Sequence, residues 1–324
     1  MKKDIMEEYL KRSTYFYKKT NEFSYESMWL FITQLPIRWI DDDRKRIGVS
    51  QKAWEKVALL GIHPYLIFIK PEHIQEHPFL LTYYRSICCL SQKGMGAFGL
   101  PNPKLYEERQ KKLSSKVAIR YSEGLNKYMS RLIEDDIIHD ENQLQTAFYT
   151  SVGAQIDGSW RNVIGGNAEK KMIAFLLHFY HKNDQIAFYI DKKGNYDTCS
   201  EPPAPFLFWG KDKTYKGFAL KTGNRIIFGS EPDVSFFNCE RKLQMVFEIK
   251  GGKDKAGALE RYGAAKKSFQ EAKRESENCQ TFLFMDSITD EVKKRMEKDD
   301  DFTNSFPLNN IQQEEALHQL LLNQ

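Results

Sequence analysis

The sequence predicts an α/β fold of the α+β kind, in which an all-helical N-terminal region precedes a mixed central β-sheet flanked by helices. The first 150 residues place apolar side chains three and four apart, as amphipathic helices do. The second half contains short segments rich in aromatic and β-branched residues, which are typical of strands. Helical patterns surround those segments, so we expect helices packed on a sheet from about residue 150 onward.

The N-terminal region shows the helical pattern in four segments. These segments cover 25–35, 51–62, 78–92 and 125–140. We therefore predict a helical domain over residues 1–150.

Five strands are predicted beyond that boundary, with three helices among them. The strands cover 185–191, 225–229, 233–237, 243–250 and 281–286, and the helices cover roughly 167–182, 255–275 and 309–322. This mixture predicts a second domain over residues 151–324, which holds the sheet.

Composition limits the class of protein. Hydrophobic residues make up 41% of the 324 residues, and the mean hydropathy is −0.58. No apolar stretch reaches the length of about 18 residues that a membrane-spanning helix needs. The charged N-terminus, MKKDIMEEYLKRS, lacks the apolar segment of a signal peptide. We therefore expect a cytoplasmic protein with no membrane partner.

Missing motifs exclude several kinds of site, and the charge distribution favours another. The five cysteines form no CxxC pair, so neither a disulfide framework nor a structural zinc site is expected. The sequence contains no HExxH, no glycine-rich Walker loop and no GxSxG. The net charge is only +4, but 250–274 holds eight Lys or Arg against three acidic residues. Such a basic cluster suits a phosphate backbone, and a solvated helix face is the alternative.

The segment LQMVFEIKGGKD ends a predicted buried strand with two charges. Side chains two apart on a strand point to the same face, so Glu248 and Lys250 share one side. A polar turn before this strand predicts an antiparallel hairpin, which brings Asp233 near Glu248. Two convergent carboxylates suit a hard cation such as Mg²⁺, and Lys250 can orient a water molecule and offset charge on a phosphate. A plain ion-paired strand end is the alternative.

Neighbouring residues favour the catalytic interpretation over the plain ion pair. Gly251 and Gly252 let a backbone approach a phosphate closely. Asp254 is expected to cap a helix that begins near Lys255 and carries basic residues on its exposed faces.

The pattern Pro232-Asp233…Glu248-Ile249-Lys250 resembles the catalytic core of PD-(D/E)XK nucleases. The wider stretch EIKGGKDKAGALERYGAAKKSF resembles type II restriction endonucleases in particular. LLTYYRSICCLSQKG (80–94) and DGSWRNVIGGNAEKK (157–171) are similar to the XcyI-like group. The resemblance implies a restriction-endonuclease-like core with residues 151–324 as the catalytic domain, and residues 1–150 as support for DNA binding or dimerisation.

The resemblance also implies a reaction. Type II restriction endonucleases hydrolyse phosphodiester bonds of double-stranded DNA at specific sequences, use Mg²⁺, and leave 5′-phosphate and 3′-hydroxyl ends. By this resemblance, Asp233 and Glu248 ligate the metal and Lys250 positions the attacking water. The likeness to the XcyI-like group implies a GC-rich palindrome containing CCGG as the first substrate to test.

Glu169 is a further candidate for the catalytic site. Asn167 is expected to cap the helix over 167–182, which places Glu169 on the core-facing side with Ile173 and Leu176. Many PD-(D/E)XK nucleases carry a Glu on a helix before the sheet, near the metal, and Glu169 matches that position. The alternative is a first-turn Glu that the helix dipole favours.

Five residues are candidates for contact with DNA. Arg161 and Asn162 lie in an expected Gly-rich loop, and Arg with guanine and Asn with adenine are common pairings. Lys253, Lys255 and Arg261 belong to the basic cluster and suit phosphate contacts. A solvated loop arginine and an exposed helical ion pair are the respective alternatives.

The predicted partners follow from a palindromic substrate. A two-fold homodimer cuts both strands of such a site most simply, and the host then needs a cognate DNA methyltransferase. Two other functions stay open. One is a DNA repair or structure-selective nuclease with the same metal centre. The other is a non-catalytic DNA-binding protein, which would retain DNA without cutting it.

Overall fold

The computed structural model describes residues 2–36, 39, 41–108, 111–198 and 202–324. The chain forms two compact units, Met1–Trp160 and Arg161–Gln324. The sequence alone places the change from helical to mixed structure about ten residues earlier. Among the described residues, no helix combines the length and the apolar character needed to cross a membrane.

The first unit is built from helices throughout its described residues. These are α1 (Lys2–Thr20), α2 (Tyr25–Thr33), α3 (Asp41–Arg46), α4 (Gln51–Leu59), α5 (Pro64–Ile67), α6 (Pro71–Glu76), α7 (Leu80–Ile87), α8 (Gln92–Ala97), α9 (Lys104–Glu107), α10 (Ser115–Glu134) and the first part of α11 (Glu141–Lys182). Serine hydroxyls cap three of them, because Ser24, Ser50 and Ser91 accept backbone N–H groups at the first turns of α2, α4 and α8. The predicted helix over 125–140 is wrong at its end: α10 stops at Glu134, and Asp136 adopts a left-handed conformation with φ of 56°.

Buried polar side chains fix the helices of this unit against each other. The hydroxyl of Tyr83 on α7 donates to the carbonyl of Leu66 at 3.0 Å. Asn126 on α10 accepts the N–H of Ile69 at 2.8 Å and donates to its carbonyl at 2.9 Å. These bonds satisfy groups that burial would otherwise leave unpaired, so they select one arrangement of the helices.

The second unit is a sheet with helices on both faces. Its strands are β1 (Ile186–Asp191), β2 (Tyr196–Asp197), β3 (Tyr215–Leu220), β4 (Arg225–Phe228), β5 (Val234–Phe237), β6 (Leu243–Lys250), β7 (Gln280–Met285) and β8 (Asn304–Phe306). Its helices are the rest of α11, α12 (Ala258–Glu275), α13 (Asp290–Met296), α14 (Glu315–Leu322) and 3₁₀ helices at Pro205–Phe208 and Leu308–Gln313. The described strands follow the order β2-β1-β3-β4-β5-β6-β7-β8. Neighbours are antiparallel up to β6, and β6, β7 and β8 run parallel. The predicted α/β class, a mixed sheet flanked by helices, is confirmed.

Strand β6 is covered on both faces. Phe247 packs in a core with Leu176 of α11, whereas Val246 packs in a second core with Phe269 of α12. A strand buried on both sides is apolar at consecutive positions rather than at alternate ones. The charges of Glu248 and Lys250 at its end therefore stand out against an apolar run.

The five predicted strands are present, and three short or irregular strands were missed. The central strand β3 contains Lys216 and Gly217, which interrupt the run of strand-forming residues. Strands β2 and β8 have two and three residues, too few for an alternating pattern.

The helix predicted over 167–182 is the C-terminal part of the 42-residue helix α11. Asn167 therefore lies inside a helix and does not cap it, and the explanation of Glu169 by a first-turn dipole effect is wrong. Arg161 and Asn162 are also helical, and the predicted Gly-rich loop around them is wrong. Glycine inside a helix costs only about 1 kcal/mol each, which the packing of the flanking apolar residues offsets.

Candidate active site

The β5–β6 hairpin brings the predicted acids together. Val234 is paired with Phe247 in the antiparallel register, so Asp233 and Glu248, the next residues outward, face each other. Both carboxylates are buried, with exposed fractions of 9% for Asp233 and 2% for Glu248. The start of β5 and the end of β6 therefore form one acidic edge of the sheet.

Each of these carboxylates has one defined contact. The Asp233 Oδ2 accepts the backbone N–H of Ile249 at 2.7 Å. The Lys250 ammonium donates to Glu248 Oε1, which confirms that the two side chains share one side of β6. The other oxygen, Glu248 Oε2, is buried without a hydrogen-bond partner among the described residues. A buried carboxylate oxygen that stays unpaired is costly unless a cation or a donor from outside the chain reaches it.

The pKa of Asp233 indicates that its surroundings suit a positively charged group. Burial, and next the nearby charge of Glu248, raise the pKa of Asp233 to about 7, and Glu169 adds to the increase. The Ile249 N–H and the Lys250 ammonium oppose this shift without cancelling it. The acidic edge is therefore short of positive charge when it holds only the protein's own groups.

Glu169 lies in the same cleft, held by a residue that the sequence analysis did not single out. The indole Nε1 of Trp209 donates to Glu169 Oε2 at 2.7 Å. The cleft has a volume of about 450 Å³, and its lining includes Glu169, Trp209, Lys213, Asp233 and Ile249. The packing of α11 against the sheet therefore places the third predicted acid in a cleft with Asp233.

Lys213 is a second residue of the cleft that the sequence analysis missed. Its ammonium donates to the carbonyl of Phe228 at 3.0 Å, at the end of β4. Burial lowers the pKa of Lys213, and the nearby Lys192 lowers it further, whereas Glu169 acts in the opposite direction. Lysines are common on surfaces, and GKDK carries no pattern that relates Lys213 to an acid 44 positions earlier.

The turn after β6 is held by two contacts in addition to a helix cap: Gly251 packs closely against α11, and Arg261 binds Asp254. A Cβ at Gly251 would lie 2.7 Å from the carbonyl oxygen of Ile164, so only glycine lets the end of β6 approach α11 this closely. Asp254 Oδ1 accepts the N–H of Gly257 at 2.6 Å, and α12 begins at the following residue. Arg261 reaches back from α12 and contacts Asp254 Oδ2 at 2.7 Å.

The candidate DNA contacts fall into two groups. Arg161 and Asn162 are exposed on α11, and Lys253 and Lys255 are exposed on the turn after β6. Arg261 is largely covered, with its side chain 16% exposed and engaged by Asp254. Its observed role is therefore to hold this turn in place.

The described residues contain no cluster of three or more His, Cys, Asp and Glu side chains that could hold a metal ion. A Mg²⁺ site does not require such a cluster, because this ion is usually bound by one or two carboxylates together with substrate phosphates and water. The pair of Asp233 and Glu248 meets that lower requirement.

Two buried carboxylates and a lysine at one edge of a mixed sheet are side chains that suit the hydrolysis of a phosphodiester. The model of the XcyI restriction endonuclease family matches residues 18–183, about half of the chain, and the chain belongs to this family. It is therefore a nuclease of the restriction–modification kind, and a restriction endonuclease acts on double-stranded DNA. The match includes both segments that resemble the XcyI-like group and extends past Glu169, whereas Asp233, Glu248 and Lys250 follow it. No curated protein matches the chain.

Proposed function

We propose that this protein is a type II restriction endonuclease that uses Mg²⁺ to hydrolyse both strands of a specific DNA site. One observation carries the proposal: two buried carboxylates, Asp233 and Glu248, converge beside Lys250 at the end of a hairpin. The membership of the XcyI restriction endonuclease family supports it. The products are expected to carry 5′-phosphate and 3′-hydroxyl ends.

The residues at the acidic edge fit a divalent cation. Glu248 Oε2 is buried and unpaired among the described residues, and mutual repulsion with Glu248 contributes to the raised pKa of Asp233. A hard cation bound by oxygen ligands relieves both conditions, and we propose Asp233 and Glu248 as its ligands. When bound, Mg²⁺ polarises the phosphate and lowers the pKa of a coordinated water.

The protein's own side chains then have separate roles. The Ile249 N–H fixes the Asp233 carboxylate in one orientation. The Lys250 ammonium, next to Glu248, orients the attacking water and offsets the charge that develops on the phosphate. Water attacks phosphorus in line with the 3′-oxygen, whose bond to phosphorus breaks, and this leaves the phosphate on the 5′ end. We propose Glu169 as a further acidic group of the same site.

The remaining assignments concern DNA and assembly. We propose Arg161, Asn162, Lys253 and Lys255 as contacts to DNA, and Arg261 as the residue that holds the turn of the two lysines. The domain over 1–150 supports DNA binding or dimerisation, and the domain over 151–324 carries catalysis. The enzyme acts as a homodimer on a GC-rich palindrome containing CCGG, in a host with a cognate methyltransferase.

Digestion of plasmid DNA tests this proposal. Plasmids with and without CCGG-containing palindromes are incubated with Mg²⁺, and the controls are EDTA and the Asp233→Ala variant. Discrete fragments that disappear in both controls support the proposal, and end sequencing then gives the site. Smearing or nicking indicates a repair or structure-selective nuclease instead. Retention of DNA without cleavage indicates a DNA-binding protein whose acids are structural.

A further inference from the structure

Trp209 lies directly after the 3₁₀ helix Pro205–Phe208 and covers one side of α11. Three residues of α11 meet its indole. The Nε1–H donates to Glu169 Oε2 at 2.7 Å, and the Lys170 ammonium lies 4.0 Å from the ring centroid. A Cβ at Gly166 would lie 2.5 Å from Trp209 Cζ2, so the ring rests on the helix where glycine leaves room.

These contacts restrain the indole in different ways. Gly166, Glu169 and Lys170 are three and four positions apart, so they line one face of the helix. The glycine sets how closely the ring approaches α11, and the Lys170 ammonium covers the face of the ring. A ring fixed at both its edge and its face gives its single N–H donor one direction, and this direction is toward Glu169.

Glu169 is the side chain whose position depends on that donor. Apart from this hydrogen bond, Glu169 lines the cleft together with Asp233 and Lys213. A glutamate that lines an open cleft has several rotamers available unless a hydrogen bond selects one.

We propose that Trp209 is a positioning residue of the nuclease, whose indole N–H holds the Glu169 carboxylate in the orientation that faces the cleft beside Asp233. This inference rests on the proposed function, since it assigns Trp209 to the same site. The competing role is purely structural, with the indole as an apolar cover of α11. The two roles differ in whether the N–H group itself matters.

Trp209→Phe separates these roles, because it keeps an aromatic ring over Gly166 and removes the donor. Gly166→Ala displaces the indole and keeps the donor, so it tests whether the position of the ring matters. We expect each to lower the cleavage rate about tenfold, with the KM for DNA unchanged, because loss of a partner that orients a site residue typically costs 10- to 100-fold. Phe206→Leu, an exposed change in the same segment, is the matched control and is expected to cleave like the wild type.

A double-mutant cycle gives the decisive comparison. If Trp209 acts through Glu169, Trp209→Phe causes no further loss of rate in a Glu169→Gln background. Calorimetric titration with Mg²⁺ in the absence of DNA gives a second readout, in which Trp209→Phe is expected to bind Mg²⁺ several-fold more weakly. Thermal unfolding identifies any variant that fails to fold.

Three outcomes overturn the inference: cleavage and Mg²⁺ affinity of Trp209→Phe equal to those of the wild type, additive losses in the double variant, or a loss that appears only in KM. Absence of cleavage by the wild type overturns the proposed function instead. In that case the Mg²⁺ titration still decides the inference, because equal affinities of the wild type and Trp209→Phe refute it.

Discussion

At the scale of single residues, the buried carboxyl group of Asp233 affects the stability of the folded protein. Its carboxyl group is buried next to Glu248, and these surroundings raise its pKa to about 7. Its pKa in the unfolded chain is near the ordinary value of 3.8. Between these two values the folded state binds more protons than the unfolded state, so the free energy of unfolding falls as the pH rises through this range.

The Asp233→Asn variant should therefore separate stability from activity. The amide can still accept the Ile249 N–H, but it carries no charge to bury. We expect it to abolish cleavage and, in EDTA, to have a free energy of unfolding at about pH 8 equal to or above that of the wild type. We also expect the free energy of unfolding of the variant to fall less between about pH 4 and about pH 7 than that of the wild type. Urea unfolding of both proteins across this pH range measures the difference, and an unchanged slope would contradict the expected titration of Asp233.

Lys250 should affect the chemical step rather than binding. Lys250→Met removes the only cation seen in contact with Glu248 among the described residues, and we expect the cleavage rate to fall at least about 100-fold. Lys255→Met is the matched exchange on the exposed turn, and it should weaken DNA binding and lower its salt dependence. Single-turnover cleavage and filter binding at several salt concentrations distinguish the two. A Lys250→Met loss that excess enzyme restores would argue for a binding role.

At the scale of elements, the end of β6 depends on its close approach to α11. Gly251→Ala places a methyl group 2.7 Å from the carbonyl oxygen of Ile164, so strand and helix must separate. We expect it to lower the free energy of unfolding by about 1–3 kcal/mol and to reduce cleavage. Gly263→Ala is the control, because its Cβ meets nothing within 4 Å on the exposed side of α12. That exchange should raise the free energy of unfolding by about 0.5–1 kcal/mol. Urea unfolding of both variants tests the contrast, and equal effects would mean that the contact with Ile164 relaxes freely.

Elements that local pattern defines could be predicted, and those that depend on distant packing could not. The hairpin of β5 and β6 follows from strand-forming residues on both sides of a polar turn, and this alone placed Asp233 near Glu248. The continuity of α11 could not be predicted, because its glycines resemble a loop, and only Gly166 among them meets a packed side chain, that of Trp209. The role of Trp209 could not be predicted for the same reason, because its contact with Glu169 joins residues 40 positions apart.

At the scale of the whole molecule, the proposed palindromic substrate sets the expected assembly. We expect sedimentation to give the mass of two 38.0 kDa chains plus one duplex when the protein binds a duplex with its site. Both strands should then be cut in one binding event. A single chain mass at every concentration, with nicked circles that precede linear DNA, would indicate independent cutting of each strand.

Strand β6 lies inside the sheet, paired with β5 on one side and β7 on the other, and both of its faces are covered. Its amide protons should therefore be among the last to exchange with heavy water, since they open only when the whole unit opens. The residues proposed for catalysis would then stay in place for as long as this unit is folded. On heating, loss of cleavage should coincide with loss of the fold, without a temperature range in which an intact protein is already inactive.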